Sequence, residues 1–321
     1  MKILVTGGAG YVGSTLVPML LAAGHEVRVL DILMHGGDSL LGVWSDPRFR
    51  LMHEDIRDGA AVNEAVTGVE AVVHLAAIVG DPACAREPDL ARKINLEASL
   101  GLIAAAEQAG VSRFLFASTC SNYGRMADPD GFVDETSPLS PVSLYAETKV
   151  AVEQALLNRR SRQMSVTPLR FATVFGVSPR MRFDLTVNEF TLALIRDRHL
   201  VVFGEQFWRP YVHVRDVARA VGLVLASPLS AVNGQVFNVG STSQNFQKQQ
   251  LVELIRPYAP DAVVEYVRKE EDPRDYRVSF GKISTTLGFQ IGMPVAQGIA
   301  ELARLICAGI VPDAQATELA V

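Results

Sequence analysis

Cysteine is scarce in this sequence, and the three that occur, Cys84, Cys120 and Cys307, lie far apart along the chain. This excludes a disulfide framework and a zinc-ligand cluster, so we expect reduced thiols and no metal site. Long apolar runs are also missing, since no segment approaches the roughly 18 residues that span a bilayer. The N-terminus lacks the layout of a signal peptide. We therefore expect a cytoplasmic protein without a membrane partner.

Basic residues are not in excess over acidic ones either. The chain carries 30 Lys and Arg against 35 Asp and Glu, so it is mildly acidic. A basic surface of the kind that binds the nucleic-acid backbone is not expected, which argues against a nucleic-acid partner. The length of 321 residues exceeds the usual size of one globular core and predicts two closely packed lobes.

Short β-branched runs alternate with helical patterns through the first two-thirds of the chain, which is the pattern of a parallel sheet with crossover helices. We predict an α/β fold, with a doubly wound parallel Rossmann sheet and a smaller C-terminal α/β substrate lobe. Predicted strands cover residues 3–6, 26–31, 49–54, 71–75, 114–118, 166–171 and 235–239, and predicted helices cover 11–23, 96–108, 143–157 and 214–226. The predicted domains are 1–174 plus 212–241 for the cofactor and 175–211 plus 242–308 for the substrate.

Glycines gather where the first predicted strand turns into a helix. Gly7 and Gly10 permit a tight turn and a close approach of the backbone to a pyrophosphate, and Gly13 lets the helix pack on the strand. The N–H groups at the start of that helix, at Tyr11, Val12 and Gly13, can receive the anion. The sequence therefore predicts a dinucleotide-binding turn.

Asp31 ends the second strand, about 20 residues further on, where a carboxylate accepts hydrogen bonds from the adenosine ribose. Because a carboxylate repels the extra phosphate of NADP, we predict that the cofactor is NAD. Five further residues that follow predicted strands are candidate cofactor contacts: Asp55, Ile56, Leu75, Ala76 and Ala77.

Tyr145 and Lys149 are four positions apart in a predicted helix, so their side chains lie on one face. A phenol with a pKa near about 10 is a poor base at neutral pH, but a neighbouring ammonium favours the phenolate. Such a phenolate can take the proton from a sugar hydroxyl while the hydride passes to NAD. Thr119, just past the fifth strand, is placed to hydrogen-bond the same oxygen.

Several motifs together resemble those of the extended short-chain dehydrogenase/reductase superfamily, in its nucleotide-sugar epimerase and dehydratase branch. They are Thr6-Gly7-Gly8-Ala9-Gly10-Tyr11-Val12-Gly13, Asp55-Ile56, His74-Leu75-Ala76-Ala77, Asn95, Ser118-Thr119 with Tyr123-Gly124, Tyr145-Ala146-Glu147-Thr148-Lys149, Pro168-Leu169-Arg170-Phe171 and Val212-His213-Val214-Arg215-Asp216. The resemblance implies a catalytic triad of Thr119, Tyr145 and Lys149. It also implies cofactor contacts by Tyr145, Lys149, Asn95 and Phe171, a nucleotide-sugar substrate and a homodimer.

Substrate contacts follow from the same resemblance. Thr119 and Cys120 would border the sugar, and Thr173 stands where many relatives have an asparagine that contacts the sugar diphosphate. Guanidinium and amide donors suited to a diphosphate occur further along the chain, at Arg182, Asn188, Arg209 and Arg274.

The reaction itself is suggested by a departure from the family pattern. In dehydratases and decarboxylases of this branch a carboxylate follows the catalytic Ser/Thr by one or two positions, but here Cys120 and Ser121 stand there. We therefore predict an epimerase that oxidises a sugar hydroxyl transiently. Cys120 is either an acid or base, if its pKa is lowered, or a small packing residue. A dehydratase, a 4-keto-sugar reductase and a non-catalytic NAD-binding scaffold are the alternatives.

Overall fold

Strands and helices alternate through the first two-thirds of the chain, as the hydrophobic periodicity predicts. The computed structural model describes residues 1–126, 128, 131–159, 163–270, 272 and 274–310. The strands are β1 (Lys2–Thr6), β2 (Glu26–Asp31), β3 (Phe49–His53), β4 (Ala71–His74), β5 (Arg113–Thr119), β6 (Ser165–Phe171), β7 (Thr173–Phe175), β8 (His199–Phe203), β9 (Trp208–His213), β10 (Phe237–Val239), β11 (Asn245–Gln247) and β12 (Val263–Val267). The helices are α1 (Gly13–Ala22), α2 (Gly59–Val66), α3 (Asp81–Arg86), α4 (Pro88–Arg92), α5 (Ser99–Gln108), α6 (Leu144–Leu157), α7 (Thr186–Leu192), α8 (Val214–Ala226), α9 (Leu229–Val232), α10 (Lys248–Ile255), α11 (Gly281–Leu287) and α12 (Val295–Cys307).

A seven-stranded sheet forms the centre of the first lobe. Its strand order is β10-β6-β5-β4-β1-β2-β3, and all of its strands run parallel. The strand order reverses between β1 and β4, and the carboxyl ends of parallel strands form a ligand crevice at such a switch point. The α/β Rossmann prediction is confirmed, and the crevice lies where β1 ends at Thr6 and β4 ends at His74.

Helices cover both faces of this sheet, which explains why its strands are almost continuously apolar. On one face α1 and α8 contribute Leu16 and Val221 to a hydrophobic core. On the other face α2, α5 and α6 contribute Val62, Leu102 and Val152 to a second core. A π-helical stretch, Lys93–Ala98, runs directly into α5 and takes up the first residues of the helix predicted over 96–108.

The chain leaves the large sheet after Phe171 and enters a smaller one at Thr173. Strands β11, β9 and β7 form this three-stranded sheet, while β12 and β8 pair as a separate parallel ribbon. A third hydrophobic core, which includes Tyr211 and Leu302, lies in this part of the molecule. Strand β10 then returns to the edge of the large sheet beside β6. Among the described residues, none of the helices has the length and apolar character needed to cross a bilayer.

Candidate active site

A tight glycine turn joins β1 to α1 at the switch point of the sheet. Gly7 has a φ of +73°, and a Cβ added there would lie 2.7 Å from the backbone nitrogen of Ala76. A Cβ added at Gly13 would lie 2.3 Å from the Gly7 carbonyl oxygen, whereas one at Gly10 would lie 3.3 Å from the same atom. Backbone packs directly against backbone here, so Gly7 and Gly13 have no room for a side chain.

The first turn of α1 is open to an anion. Val12 is the N-cap of this helix, and no side chain of the described residues caps it. The N-terminus of a helix offers unpaired N–H groups and the positive end of the helix dipole. Beside it, the Tyr11 phenol donates to the Gly176 carbonyl oxygen at 2.6 Å and ties the glycine turn to the loop after β7. The turn and helix start thus form a cradle for a pyrophosphate.

Asp31 lies against the same turn. Its Oδ2 accepts a hydrogen bond from the backbone nitrogen of Ala9 at 2.9 Å, and its Oδ1 accepts one from that of Leu33 at 2.8 Å. A carboxylate oxygen can accept more than one hydrogen bond, so a ribose diol can bind the same group. The crowded glycines, the open helix start and Asp31 together fit a dinucleotide.

The predicted contacts after β3 and β4 differ in their surroundings. The Nε of Arg57 donates to Oδ2 of Asp55 at 2.9 Å, and this hydrogen bond holds the pKa of the Asp55 carboxyl below its usual range. Ile56 is buried in the hydrophobic core. The segment after β4 comprises Leu75, Ala76 and Ala77, and the backbone of its first two residues packs against Gly7. This segment therefore borders the dinucleotide cradle directly.

The side-chain amide of Asn95 is bonded to protein backbone. It is only 1% exposed, its Oδ1 accepts from the backbone nitrogen of Ile78 at 2.8 Å, and its Nδ2 donates to the Ile78 carbonyl oxygen at 2.9 Å. Asn95 thus holds the loop after β4 in place. A cofactor contact by Asn95 stays a prediction.

Tyr145 and Lys149 lie one turn apart on α6, as their spacing predicts. This helix begins after Ser143, whose Oγ accepts a hydrogen bond from the backbone nitrogen of Ala146 at 3.3 Å. The Lys149 Nζ lies 5.8 Å from the centre of the Tyr145 ring and donates to the Ala117 carbonyl oxygen at 2.8 Å. The ammonium is therefore held between the end of β5 and the tyrosine.

Burial changes the protonation of both groups. It lowers the pKa of Lys149 to about 8, so the amine stays mainly charged at neutral pH. It raises the pKa of Tyr145, and the nearby Arg182 guanidinium opposes that increase. A phenol with a raised pKa is almost entirely protonated at neutral pH, so formation of the phenolate here requires positive charge close by. Arg182, predicted from the sequence as a diphosphate ligand, is thus one of the cations near the phenol.

Thr119 ends β5 beside the crevice, opposite Phe171 in the register of β5 and β6. Its Oγ1 accepts a hydrogen bond from the backbone nitrogen of Ser121 at 3.1 Å. A hydroxyl that accepts in this way still has its own proton to donate. Thr119 is therefore able to donate to an oxygen bound at the end of β5.

Cys120 faces the core. The side chain is 1% exposed, and its Sγ donates to the Arg170 carbonyl oxygen at 3.3 Å. Burial raises the pKa of the thiol, whereas an acid or base role requires a lowered one. Burial and the raised pKa therefore favour the packing alternative over an acid or base role for Cys120, and its contact with the substrate stays a prediction.

Asn188 also has a side-chain amide that is bonded to protein backbone. It is completely buried, its Oδ1 accepts from the backbone nitrogen of Gly176 at 2.9 Å, and its Nδ2 donates to the Arg182 carbonyl oxygen at 2.8 Å. The amide holds the loop that carries Arg182, and a diphosphate contact by Asn188 stays a prediction. Thr173 begins β7, where it is only partly buried and pairs with Tyr211.

Arg209 and Arg274 lie on separate segments of the chain, and both contact the carboxylate of Asp272. Nη2 of Arg209 lies 2.7 Å from Oδ2 of Asp272, and the backbone nitrogen of Arg274 donates to Oδ1 of the same carboxylate at 2.9 Å. Nη1 of Arg274 also donates to Oδ2 of Asp81 at 2.7 Å, and Oδ1 of Asp81 accepts from the Ser143 hydroxyl at 2.7 Å. This chain of contacts joins the smaller lobe to the start of α6.

Two residues at this place were not predicted from the sequence. Asp81 links Arg274 to the start of α6, and its position at the start of α3, just after the loop that follows a buried strand, was a usable signal. Tyr276 is 3% exposed, its phenol hydrogen-bonds with Ser121, and the Arg209 guanidinium lies 5.5 Å from the centre of its ring. Burial raises the pKa of Tyr276 to about 12. No local pattern marks Tyr276, because its partners lie far from it along the chain.

Replacing Lys149 with methionine is expected to change how stability depends on pH. The pKa of about 8 in the folded protein lies below the value of about 10.4 in an unfolded chain. Between these values the unfolded chain binds more protons, so this lysine makes the free energy of unfolding rise with pH. The methionine variant should lack about 3 kcal/mol of that rise.

Urea unfolding across this pH range measures the effect. The exposed Lys93 supplies a matched control, and Lys93→Met should follow the wild type at every pH. Parallel pH dependences for wild type and Lys149→Met would show that the buried amine is not the source of the slope.

Comparison with known proteins finds relatives that match most of this chain. A curated dTDP-glucose 4,6-dehydratase of Streptomyces niveus is 31% identical, over 94% of this chain and 91% of its own length, and a UDP-glucose 4-epimerase of Corynebacterium glutamicum is 30% identical, over 90% of each chain. The solved dTDP-glucose 4,6-dehydratase of Streptomyces venezuelae, which contains NAD, superposes with a TM-score of 0.85 at 29% identity, over 96% of this chain and 97% of that one. The pattern of the NAD dependent epimerase/dehydratase family matches residues 3–240. The chain therefore belongs to the NAD dependent epimerase/dehydratase family, and it is an enzyme whose cofactor is NAD.

Proposed function

We propose that this enzyme is a nucleotide-sugar epimerase that oxidises a sugar hydroxyl transiently to a keto group. The observation that carries the proposal is the environment after Thr119. Position 120 holds a thiol that is buried and has a raised pKa, and position 121 holds a serine. A dehydratase of the usual kind has a carboxylate there to protonate the departing hydroxyl. An epimerase needs no such acid.

The residues on α6 and at the end of β5 supply the proton chemistry. Bound NAD would accept a hydride from the sugar carbon and return it. In its phenolate form Tyr145 takes the hydroxyl proton, and the ammonium of Lys149 stabilises the negative charge. The Thr119 hydroxyl donates to the same oxygen and keeps it in line. Inversion would follow once the keto sugar has turned its other face to the cofactor, so that the hydride returns there and the proton from Tyr145 completes the new hydroxyl.

The substrate is a sugar joined to a nucleoside diphosphate, bound between the two lobes. The guanidinium groups of Arg209 and Arg274 come from separate segments to the same carboxylate, Asp272, and two neighbouring cations suit the charges of a diphosphate. Residues 1–174 and 212–241 bind NAD, while 175–211 and 242–308 bind the nucleotide sugar. The homodimer implied by the family resemblance stays a prediction.

A dehydratase is the second candidate. Its support is the dTDP-glucose 4,6-dehydratase of Streptomyces niveus, at 31% identity, together with the Tyr276 phenol, which lies beside Ser121. A phenol is a far weaker acid than a carboxyl, and burial raises the pKa of this one to about 12. We therefore place dehydration second.

Incubation with a panel of nucleotide sugars in deuterated water tests the proposal. We expect one sugar to be converted to its epimer with no added reductant and no deuterium at the inverted carbon, because the hydride returns internally. Formation of a 4-keto-6-deoxy sugar would identify a dehydratase, and consumption of one NADH per turnover would identify a reductase. Deuterium at the inverted carbon would indicate epimerisation by proton exchange. A chain that binds NAD and converts none of the panel would point to a non-catalytic scaffold.

Asp31 is expected to select NAD over NADP. Asp31→Asn keeps one acceptor oxygen but removes the negative charge, so NAD should bind about tenfold more weakly and NADP should gain relative to it. Titration of each dinucleotide by calorimetry measures the two dissociation constants. The matched control is Asp46→Asn, at a surface carboxylate that pairs with Arg48, and it should leave the ratio unchanged. An unaltered ratio in Asp31→Asn would remove Asp31 from cofactor selection.

A further inference from the structure

A buried ion pair joins α6 to β6, on the same helix as Tyr145 and Lys149. The side chains of Glu153 and Arg170 are 2% and 5% exposed, and the Arg170 Nη2 lies 2.5 Å from Oε1 of Glu153. The Arg170 Nε is 3.2 Å from the same oxygen and 3.3 Å from Oε2. Two charges have therefore been removed from water and paired through several contacts.

The position of Glu153 connects this pair to α6. Tyr145, Lys149 and Glu153 follow one another at intervals of four residues, so they lie along one face of the helix. Lys149 binds the Ala117 carbonyl oxygen, and Oε2 of Glu153 accepts from the hydroxyl of Ser118, the next residue, at 2.7 Å. The helix is thus attached to the end of β5 at two successive residues.

The pair also holds the turn that follows Thr119. Nδ2 of Asn122 donates to the Ser118 hydroxyl at 3.1 Å. Nη1 of Arg170 donates to the Tyr123 phenol at 2.8 Å, and that phenol donates to Oδ1 of Asn238 at 2.8 Å. Ser118 therefore faces the ion pair on the α6 side of the sheet, and Thr119 follows it as the last residue of β5.

A contribution to the stability of the folded protein does not by itself explain a buried ion pair of this kind. The desolvation of two buried charges often cancels their attraction, and apolar replacements of similar volume are frequently as stable. What apolar side chains cannot supply is directional contact with Ser118 and Tyr123, on either side of Thr119. These contacts connect α6, which carries Tyr145, to the strand end and turn that carry Thr119.

We propose that the Glu153–Arg170 pair is a positioning element for the reaction, which acts through Ser118 to hold Thr119 and α6 at the separation that turnover requires. This inference rests on the proposed roles of Thr119 and Tyr145. A displacement of about 1 Å at a reacting group can lower a rate by about 10²-fold, so small shifts of this network have large effects on kcat.

Ser118→Ala and Glu153→Gln test the inference, with Ser112→Ala as the matched control. Ser112 precedes the other end of β5, where its hydroxyl donates to the Glu70 carbonyl oxygen at 2.7 Å. With kcat expressed per mole of bound NAD, we expect a loss of about tenfold for Ser118→Ala and about 10²-fold for Glu153→Gln. KM and the NAD content should stay near wild type, and Ser112→Ala should keep full turnover.

A role in folding alone predicts a different result. It would lower the melting temperature or the yield of NAD-loaded enzyme but leave kcat per loaded molecule unchanged, and that outcome would overturn the inference. Should Glu153→Gln fail to fold, the comparison of Ser118→Ala with Ser112→Ala decides alone. Full activity in Ser118→Ala together with an inactive Tyr145→Phe would contradict the positioning role and leave the proposed function standing. Full activity in Tyr145→Phe would instead remove the proposed function.

Discussion

Tyr145→Phe is expected to lower kcat by about 10²- to 10⁴-fold, the usual contribution of general acid–base catalysis. The substitution keeps the ring that packs beside Lys149 and removes only the hydroxyl that we propose exchanges the proton. NAD binding and the melting temperature should therefore stay near those of the wild type. Turnover with the substrate found in the panel, together with NAD titration, measures both quantities.

The control for this substitution is Tyr258→Phe. Tyr258 is 43% exposed and follows α10 in the smaller lobe, so loss of its hydroxyl should not affect turnover. If Tyr145→Phe turned over like Tyr258→Phe, the proton would have to move through a different group, and the Tyr276 phenol beside Ser121 would be the next candidate.

Gly13→Ala is expected to abolish NAD binding. The added methyl would lie 2.3 Å from the Gly7 carbonyl oxygen and 2.6 Å from the Gly8 Cα, and neither backbone atom can move without opening the turn. Overpacking of this kind costs about 1–3 kcal/mol of stability, and the displaced turn would no longer present its N–H groups to a pyrophosphate. Calorimetric titration with NAD and urea unfolding measure the two effects.

Gly222→Ala is a matched control within a helix. Gly222 lies in α8, and a Cβ added there meets no atom within 4 Å. Alanine is favoured over glycine in a helix by about 1 kcal/mol, so this variant should be as stable as the wild type or more stable, with NAD affinity unchanged. Wild-type affinity in Gly13→Ala would mean that the cofactor does not depend on this turn.

Patterns that depend on neighbouring residues could be predicted from the sequence. The alternation of strands and helices, the crowding at Gly7 and Gly13, and the shared face of Tyr145 and Lys149 all follow from local geometry. A local rule also placed Asp31 beside the glycine turn, because the second strand of this unit always lies next to the first.

Assignments that depend on where a polar side chain points could not be predicted in the same way. Asn95 and Asn188 look like ligand-binding amides in the sequence, but each is used to hold a loop of the protein. Cys120 follows Thr119 directly, yet it faces the core, and Arg182 lies close enough to affect the phenol of Tyr145.

The sequence by itself determined the cofactor cradle, the class of fold and the pair of residues on α6, because each arises from a few residues that are close along the chain. Only the tertiary structure decided which polar groups satisfy the protein's own backbone and which charged groups pair with one another. Arg209, Arg274 and Tyr276 come together only after distant segments pack. The physical reason is that a polar group's role depends on its nearest partners, and those partners are brought to it by long-range packing.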